Sequence, residues 1–206
     1  MMIPMAQNVP ARRVHAPDAR SLATRLGDAV LELASHVPLS REQPLPGAQA
    51  HAHAIATSAA NRAALAAGTL ALPPGPLGWL TIVPELVTIW RIQRQMVADI
   101  AAAYGASAEL TRSHMLYCLF RHAAAQALRD IGVQVGARLL VREAPLRTIE
   151  RVAAKIGIQV SKRVAGRGLA RWLPMVGAVG VGAYAYYDTR QVARTAIELF
   201  ADNGSV

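Results

Sequence analysis

The sequence predicts an all-α fold, a single compact domain of six to eight packed helices. Residues that favour helices, above all alanine, leucine and arginine, are frequent in this chain of 206 residues, whereas runs of β-branched residues are sparse. Apolar residues also recur at a spacing of three to four, the period of an amphipathic helix. We expect the helical domain to span 17–200, between a disordered basic tail at 1–16 and a short tail at 201–206.

Two helices are expected in the first third of the chain. The first begins near 17–18 and places four apolar side chains on one face: Leu22, Leu26, Val30 and Leu33. Three prolines and a glycine make 36–49 a loop. A weakly amphipathic, alanine-rich helix follows over 48–67.

Two apolar segments rich in glycine and proline, 69–83 and 172–187, are the most unusual feature of the sequence. The first lies in an uncharged run, but prolines interrupt it before it reaches the ~20 residues that a straight membrane-spanning helix needs. The second would span only about 24 Å as a helix. We expect the two segments to pack against each other, with Gly177 and Ala178 allowing close approach of the helices.

The third helix is expected to begin at Pro84 and to end at Tyr104, with Gly105 as its C-terminal glycine. Four polar residues are candidates for the lining of a ligand pocket, since three of them repeat at four-residue spacing: Glu85, Arg91, Gln95 and Asp99. The alternative is a buried or half-buried network that fixes the register of the helices.

Further helices are expected after Thr111, which is placed to cap a long helix over 112–143, and after Pro145. The stretch 188–206 is expected to be an amphipathic helix that ends in the short tail at 201–206. His114, Cys118 and His122 share one face of the long helix and could supply three zinc ligands. The apolar neighbours of the cysteine favour simple packing instead. We therefore expect neither a metal nor a cofactor.

Positive charge is concentrated between 138 and 171, a stretch that contains nine basic residues and only two glutamates, in a chain of net charge +9. This run is a solvated face or a docking site for acidic lipid headgroups. If the run is a docking site, we expect Arg163, Arg167, Arg171 and Trp172 to bind the headgroups, because an uncharged, tyrosine-bearing stretch follows them. Motifs typical of nucleic-acid binding are missing from the sequence, so lipid is the favoured anion.

The sequence contains no nucleophile elbow, phosphate-binding loop or paired carboxylate motif, so we expect a non-enzymatic protein. Cys118 is the single cysteine, which favours a reducing compartment. The N-terminal residues lack an apolar signal-peptide core, so secretion is not expected.

The stretches 73–105 and 171–200 resemble the EcsC family of bacterial proteins. The resemblance rests on a Gly/Pro-rich apolar stretch, a helix that ends in Tyr104-Gly105, and a Pro-x-x-Gly-Ala motif at Pro174, Gly177 and Ala178. The family's acidic-Pro motif is altered, because Glu85 follows Pro84 instead of preceding it, so Glu85 would have to replace the usual aspartate. The resemblance covers about 50–200 and implies no established reaction.

We therefore expect a peripheral membrane-associated or membrane-complex accessory protein that docks by its basic face and an apolar Gly/Pro-rich hairpin. Its expected location is the bacterial cytoplasm, at the inner face of the cytoplasmic membrane. An anionic membrane surface or a membrane protein complex would be its partner, and self-association is left open. The alternative is an enzyme or small-ligand-binding protein with a pocket around Glu85, Arg91, Gln95 and Asp99.

Overall fold

The computed structural model describes residues 19–70, 78–128, 132–135, 138–141, 143–167 and 174–201. In these residues the chain forms six α-helices, a short 3-10 helix at Ser107–Glu109 and one β-hairpin. The helices are α1 (Ala19–Ser35), α2 (Ala48–Leu70), α3 (Gly78–Ala103), α4 (Arg112–Ala124), α5 (Leu146–Arg167) and α6 (Pro174–Ala201). The predicted all-helical fold is confirmed. The predicted tails at 1–16 and 201–206 lie outside the described residues, except for Ala201 at the end of α6.

One hydrophobic core joins all six helices, from Leu22 in α1 to Phe200 in α6. Its centre holds the largest fully buried side chains, among them Phe120, Phe200, Met96 and Met115. The Trp90 ring meets the Phe120 ring edge to face, with their centroids 5.2 Å apart.

α1 packs against α5 through two glycines at the point where the helices cross. The predicted apolar face of α1 is buried there, with Leu26 and Val30 at its centre. A Cβ atom on Gly157 would lie 2.5 Å from the Ala23 carbonyl oxygen and 2.6 Å from the Gly27 nitrogen. The separation of these two helices therefore requires glycine at 157.

α6 packs against α2 and α3 through small residues. A Cβ atom on Gly182 would meet the Ala64 carbonyl oxygen at 3.0 Å, and Ala185 is buried between the two neighbouring helices. These contacts of the second Gly/Pro-rich segment lie outside 69–83, so the predicted packing of the two segments against each other stays a prediction. The other side of α6 leaves Val179 74% exposed. Residues 71–77 and 172–173 of the two segments lie outside the described residues.

α6 runs antiparallel to α2 and α4. Gly182 lies against Ala64, whereas Arg190, further along α6, donates a hydrogen bond to Thr57, earlier in α2. In the same way Asp188 of α6 meets the end of α4, and Phe200 meets the beginning of α4. The α1–α2 loop lies near Phe200, because Pro44 contacts Gly105 at the end of α3. The molecule therefore has two distant ends, with the start of α6 at one and the α1–α2 loop at the other.

The predicted start of α3 at Pro84 is wrong, because α3 begins at Gly78. Pro84 lies in the second turn, is exposed, and forgoes a single backbone hydrogen bond. The helix begins before the proline because the apolar residues that precede it, Ile82 above all, are buried. The predicted end is confirmed: Gly105 has φ of 75° and the Gly105 and Ala106 N–H groups bond back to Ala102 and Ala101.

The predicted long helix over 112–143 is also wrong. α4 begins at Arg112 and ends at Ala124, and Thr111 is its N-cap, as predicted, with its side chain accepting from the His114 N–H. An antiparallel hairpin of β1 (Gly132–Val135) and β2 (Arg138–Val141) follows, with Gly132 opposite Val141. The valines in these strands, Val133, Val135 and Val141, favour β-structure. α6 likewise continues through 188 as one helix instead of starting a new one there.

We expect Gly157→Ala to destabilise the protein by more than about 2 kcal/mol, because the new methyl group would overlap the α1 backbone. Gly180→Ala is the matched control, since nothing lies within 4 Å of its Cβ position and alanine favours the helix by up to about 1 kcal/mol. Urea denaturation monitored by circular dichroism measures both variants. Equal stabilities of the two would contradict the close α1–α5 packing.

Candidate functional site

A buried polar cluster joins the middle of α3 and the middle of α6 to the end of α4. The His122 Nε2 atom lies 2.7 Å from Asp188 Oδ1. The Gln93 side-chain amide donates to Asp188 Oδ2 at 2.8 Å and to the Thr189 hydroxyl at 3.1 Å. Tyr184 also donates a hydrogen bond to Asp188. Three donors from the protein therefore surround one carboxylate.

Asp188 is held as an anion by these donors. Burial alone raises the pKa of its carboxyl group, but the hydrogen bonds from His122, Gln93 and Tyr184, with the charge of His122, leave it below the usual value of 3.8. The side chain is only 13% exposed, and that of His122 21%. Loss of one partner would leave a buried polar group unpaired, so the cluster holds its three helices in register.

A cleft of about 560 Å³ opens beside this cluster, between the end of α4, the last turns of α5 and the middle of α6. Its lining residues are His122, Arg163, Tyr184, Tyr187, Asp188 and Gln191. Helical spacing brings the α6 members together, because residues three and four apart share a face. The Tyr187 hydroxyl accepts a hydrogen bond of 2.6 Å from the Gln191 amide, and Tyr187 is 61% exposed.

The polar residues predicted to line a pocket on α3 do not form one cluster. Gln95 donates to Asp99 at 2.9 Å, as the spacing predicted, and to the Leu39 carbonyl at 3.1 Å. Asp99 accepts from the Ser40 hydroxyl at 2.7 Å. Arg91 is exposed, and among the described residues it takes no part in this series. Gln95 and Asp99 thus fix the α1–α2 loop on α3.

Glu85 is buried, two turns before Gln93 on α3 and away from the Gln95–Asp99 pair. The pocket predicted around Glu85, Arg91, Gln95 and Asp99 therefore gives way to a loop brace at one end of α3 and a separate buried carboxylate near the other.

The residues of the predicted family motif are part of the framework. Gly105 ends α3 and Pro174 begins α6. Burial raises the pKa of the Tyr104 phenol, whose oxygen has no partner among the described residues. Gly177 and Ala178 lie in α6, at positions where only the backbone is described.

Of the predicted docking residues, Arg163 is described and exposed, and it lines the cleft. Arg167 ends α5, and its side chain lies outside the described residues, as do Arg171 and Trp172. No described helix has the length and apolar character that crossing a membrane would require.

The three residues considered as zinc ligands have other roles. The His114 Nδ1 atom completes the cap of α4, and burial lowers the pKa of its ring. Cys118 is fully buried, and burial raises the pKa of its thiol to about 12, which removes thiolate character at neutral pH. The His122 ring is bound to Asp188. Across the described part of the chain, no group of three His, Cys, Asp or Glu side chains is arranged to hold a metal ion.

Sequence reasoning missed the cluster around Asp188. Only His122 was noticed, and in a different role. A usable signal was present, because Asp188 is the first charged residue after sixteen uncharged ones, and Tyr184 precedes it by one turn. The contribution of Gln93 had no signal in the sequence, since its partner lies 95 residues away.

Comparison of the chain with protein-family models gives no match, and comparisons with curated proteins and with solved structures give no significant similarity. The EcsC resemblance therefore stays a prediction.

We expect Asp188→Asn to destabilise the protein by about 2–3 kcal/mol at pH 7, because it removes the buried charge and replaces one of two acceptor oxygens by an NH2 group that faces a donor. Glu198→Gln is the matched control. Glu198 also joins α6 to α4, through Arg121 at 2.9 Å, but its side chain is 61% exposed, so its loss should cost less than about 1 kcal/mol. Urea denaturation of both variants measures the difference, and equal losses would contradict the buried role of Asp188.

The advantage of the wild type over Asp188→Asn should depend on pH. Because the pKa of Asp188 is lower in the folded protein than its usual 3.8, its stabilisation is present above pH 3.8 and is lost as the pH falls through the folded value. Denaturation midpoints of both proteins between pH 6 and pH 2.5 should therefore converge on the acid side. An unchanged difference at low pH would show that the carboxylate charge is not the stabilising feature.

Proposed function

We propose that this chain is a non-enzymatic accessory protein that docks on an anionic membrane surface through the corner between the last turns of α5 and the middle of α6. We call this corner the docking corner and define it by Ile158, Lys162, Arg163, Tyr184 and Tyr187. The observation that carries the proposal is that Arg163 lines one open cleft with two exposed tyrosines. A cation beside amphipathic rings suits the boundary between headgroups and acyl chains.

The exposed side of α5 supports the proposal through its charge. Five basic residues of this helix, at or near four-residue spacing, are exposed: Arg147, Arg151, Lys155, Lys162 and Arg163. Glu150 is the one acidic residue in the helix. The opposite side of α5 is buried against α1. Each basic residue near an acidic membrane contributes about 1 kcal/mol, so several on one side give a useful affinity.

The apolar part of the docking corner supports the choice of a membrane over a purely electrostatic partner. Ile158 is 47% exposed one turn before Lys162, and Tyr184 is 39% exposed. Tyrosine at an interface keeps its hydroxyl in water while its ring is buried. A nucleic acid would use the same charges but would gain little from an exposed isoleucine.

The EcsC resemblance, a bacterial cytoplasmic location and a membrane or membrane-complex partner belong to the same proposal. A location at the inner face of the cytoplasmic membrane is consistent with basic residues facing the anionic cytoplasmic leaflet. The proposal assigns no reaction to the protein.

We expect the double variant Lys162→Glu/Arg163→Glu to bind vesicles of phosphatidylglycerol and phosphatidylcholine at least about tenfold more weakly than the wild type, because two attractive charges become repulsive. The control is Arg41→Glu/Arg112→Glu, which lowers the net charge by the same amount with two exposed residues at the other end of the molecule. Flotation at low salt measures the bound fraction.

The control double should keep most of the wild-type binding. Equal losses in both doubles, or equal recovery of the wild type with anionic and purely zwitterionic vesicles, would contradict the proposal. A parallel titration with duplex DNA tests the competing partner, and DNA binding tighter than vesicle binding at the same salt would favour that partner instead.

A further inference from the structure

We infer that the cleft beside Asp188 is a binding site for a phosphate group, with Arg163 and Tyr187 as its principal ligands. This inference rests on the proposed function for the lipid source of the phosphate, and it deepens that function by naming a site. A soluble phosphomonoester has the same chemistry and is the other source to be tested.

The sign of the ligand follows from the hydrogen-bonding groups that remain available in the cleft. Asp188 is the one carboxylate among the described lining residues, and three protein donors already occupy it, from His122, Gln93 and Tyr184. An incoming cation would have to displace one of these donors. The cleft therefore offers little to an ammonium group.

Two described side chains of the cleft, Tyr187 and Arg163, carry donors outside the Asp188 cluster. The Tyr187 oxygen accepts from the Gln191 amide at 2.6 Å, so the Tyr187 O–H proton is directed elsewhere. Arg163 carries five N–H donors, and the described part of the chain provides it with no carboxylate partner. Converging donors around one space select an anion.

The lining and the size of the cleft favour a phosphate group within a small organic molecule. An arginine fork binds phosphate oxygens in pairs, and a phosphate has a further oxygen to accept from Tyr187. The volume of about 560 Å³ exceeds that of a bare ion and falls in the range of small-ligand sites. The rings of Tyr184 and Tyr187 would flank the organic part.

The position of the cleft connects it to a membrane. Arg163 and Tyr187 belong both to the cleft and to the docking corner, so a lipid headgroup can enter while the protein remains on the surface. The Asp188 cluster supports the site from behind, because it fixes α6 against α3 and α4. The position of Tyr187 is fixed in the same way, because it precedes Asp188 directly on α6.

The test is isothermal titration calorimetry of the full chain with three probes: inorganic phosphate, glycerol 3-phosphate and glycerate. The variants are Arg163→Gln and Tyr187→Phe, with Tyr186→Phe as the matched control. Tyr186 is 37% exposed on the same helix but does not line the cleft, so its hydroxyl has no role there.

We expect the wild type to bind glycerol 3-phosphate more tightly than inorganic phosphate, and both more tightly than glycerate. Arg163→Gln and Tyr187→Phe should each weaken glycerol 3-phosphate binding about tenfold, because each removes a donor to a charged group. Tyr186→Phe should bind as the wild type does. No heat above the buffer control for either phosphate probe, binding of glycerate at least as tight, or unchanged binding by Arg163→Gln would overturn the inference.

Vesicle flotation of Tyr187→Phe separates this inference from the proposed function. The variant keeps the ring and the net charge, so docking on phosphatidylglycerol vesicles should be retained while glycerol 3-phosphate binding falls. Phosphate binding without vesicle binding would support the site with a soluble source and contradict the docking proposal. Vesicle binding without phosphate binding would support the docking proposal and contradict the phosphate site.

Discussion

The arrangement of α3, α4 and α6 depends on the hydrogen bonds that the carboxylate of Asp188 accepts. This carboxylate is buried in α6 and accepts hydrogen bonds from Gln93 of α3 and His122 of α4. A buried anion that keeps its charge requires such donors, so the three helices must meet at one fixed register. Tyr184 and Tyr187 follow from that register, since they share the face of α6 that carries Asp188.

Small residues set the distances between the helices, and the polar cluster sets their register. Glycine at 157 lets α5 touch the backbone of α1, and glycine at 182 lets α6 approach α2. Neither contact is directional, because apolar packing does not select one rotation of a helix strongly over another. The hydrogen-bonded cluster supplies the missing direction. The fold thus combines close approach on two seams with one polar anchor, and the anchor lies behind the cleft.

The sequence was sufficient for local features and insufficient for distant ones. The first face of α1, the cap at Thr111 and the glycine at 105 follow from spacing and backbone chemistry, and all three are present. The hairpin after α4 was missed because its strands lie in a run with helix-favouring alanine and leucine around it. Pro84 misled because burial of its neighbours outweighs one lost hydrogen bond.

The candidate site could be predicted only in part. The sequence indicated Arg163 and the tyrosines as a cation beside an aromatic stretch. The polar residues of α3 suggested a pocket, but two of them, Gln95 and Asp99, bind the α1–α2 loop instead. The pairing of Asp188 with Gln93 and His122 depends on three helices that are far apart in sequence, so no local pattern could reveal it.

The most direct measurement of membrane docking is hydroxyl-radical footprinting of Tyr187 with anionic and with zwitterionic vesicles, using Leu39 as an internal reference. Leu39 is 94% exposed in the loop at the other end of the molecule, and Tyr187 is 61% exposed. The account predicts that phosphatidylglycerol vesicles reduce the oxidation of Tyr187 and leave that of Leu39 unchanged, whereas phosphatidylcholine vesicles protect neither. Protection of Leu39 in place of Tyr187, or equal protection by both kinds of vesicle, would contradict it.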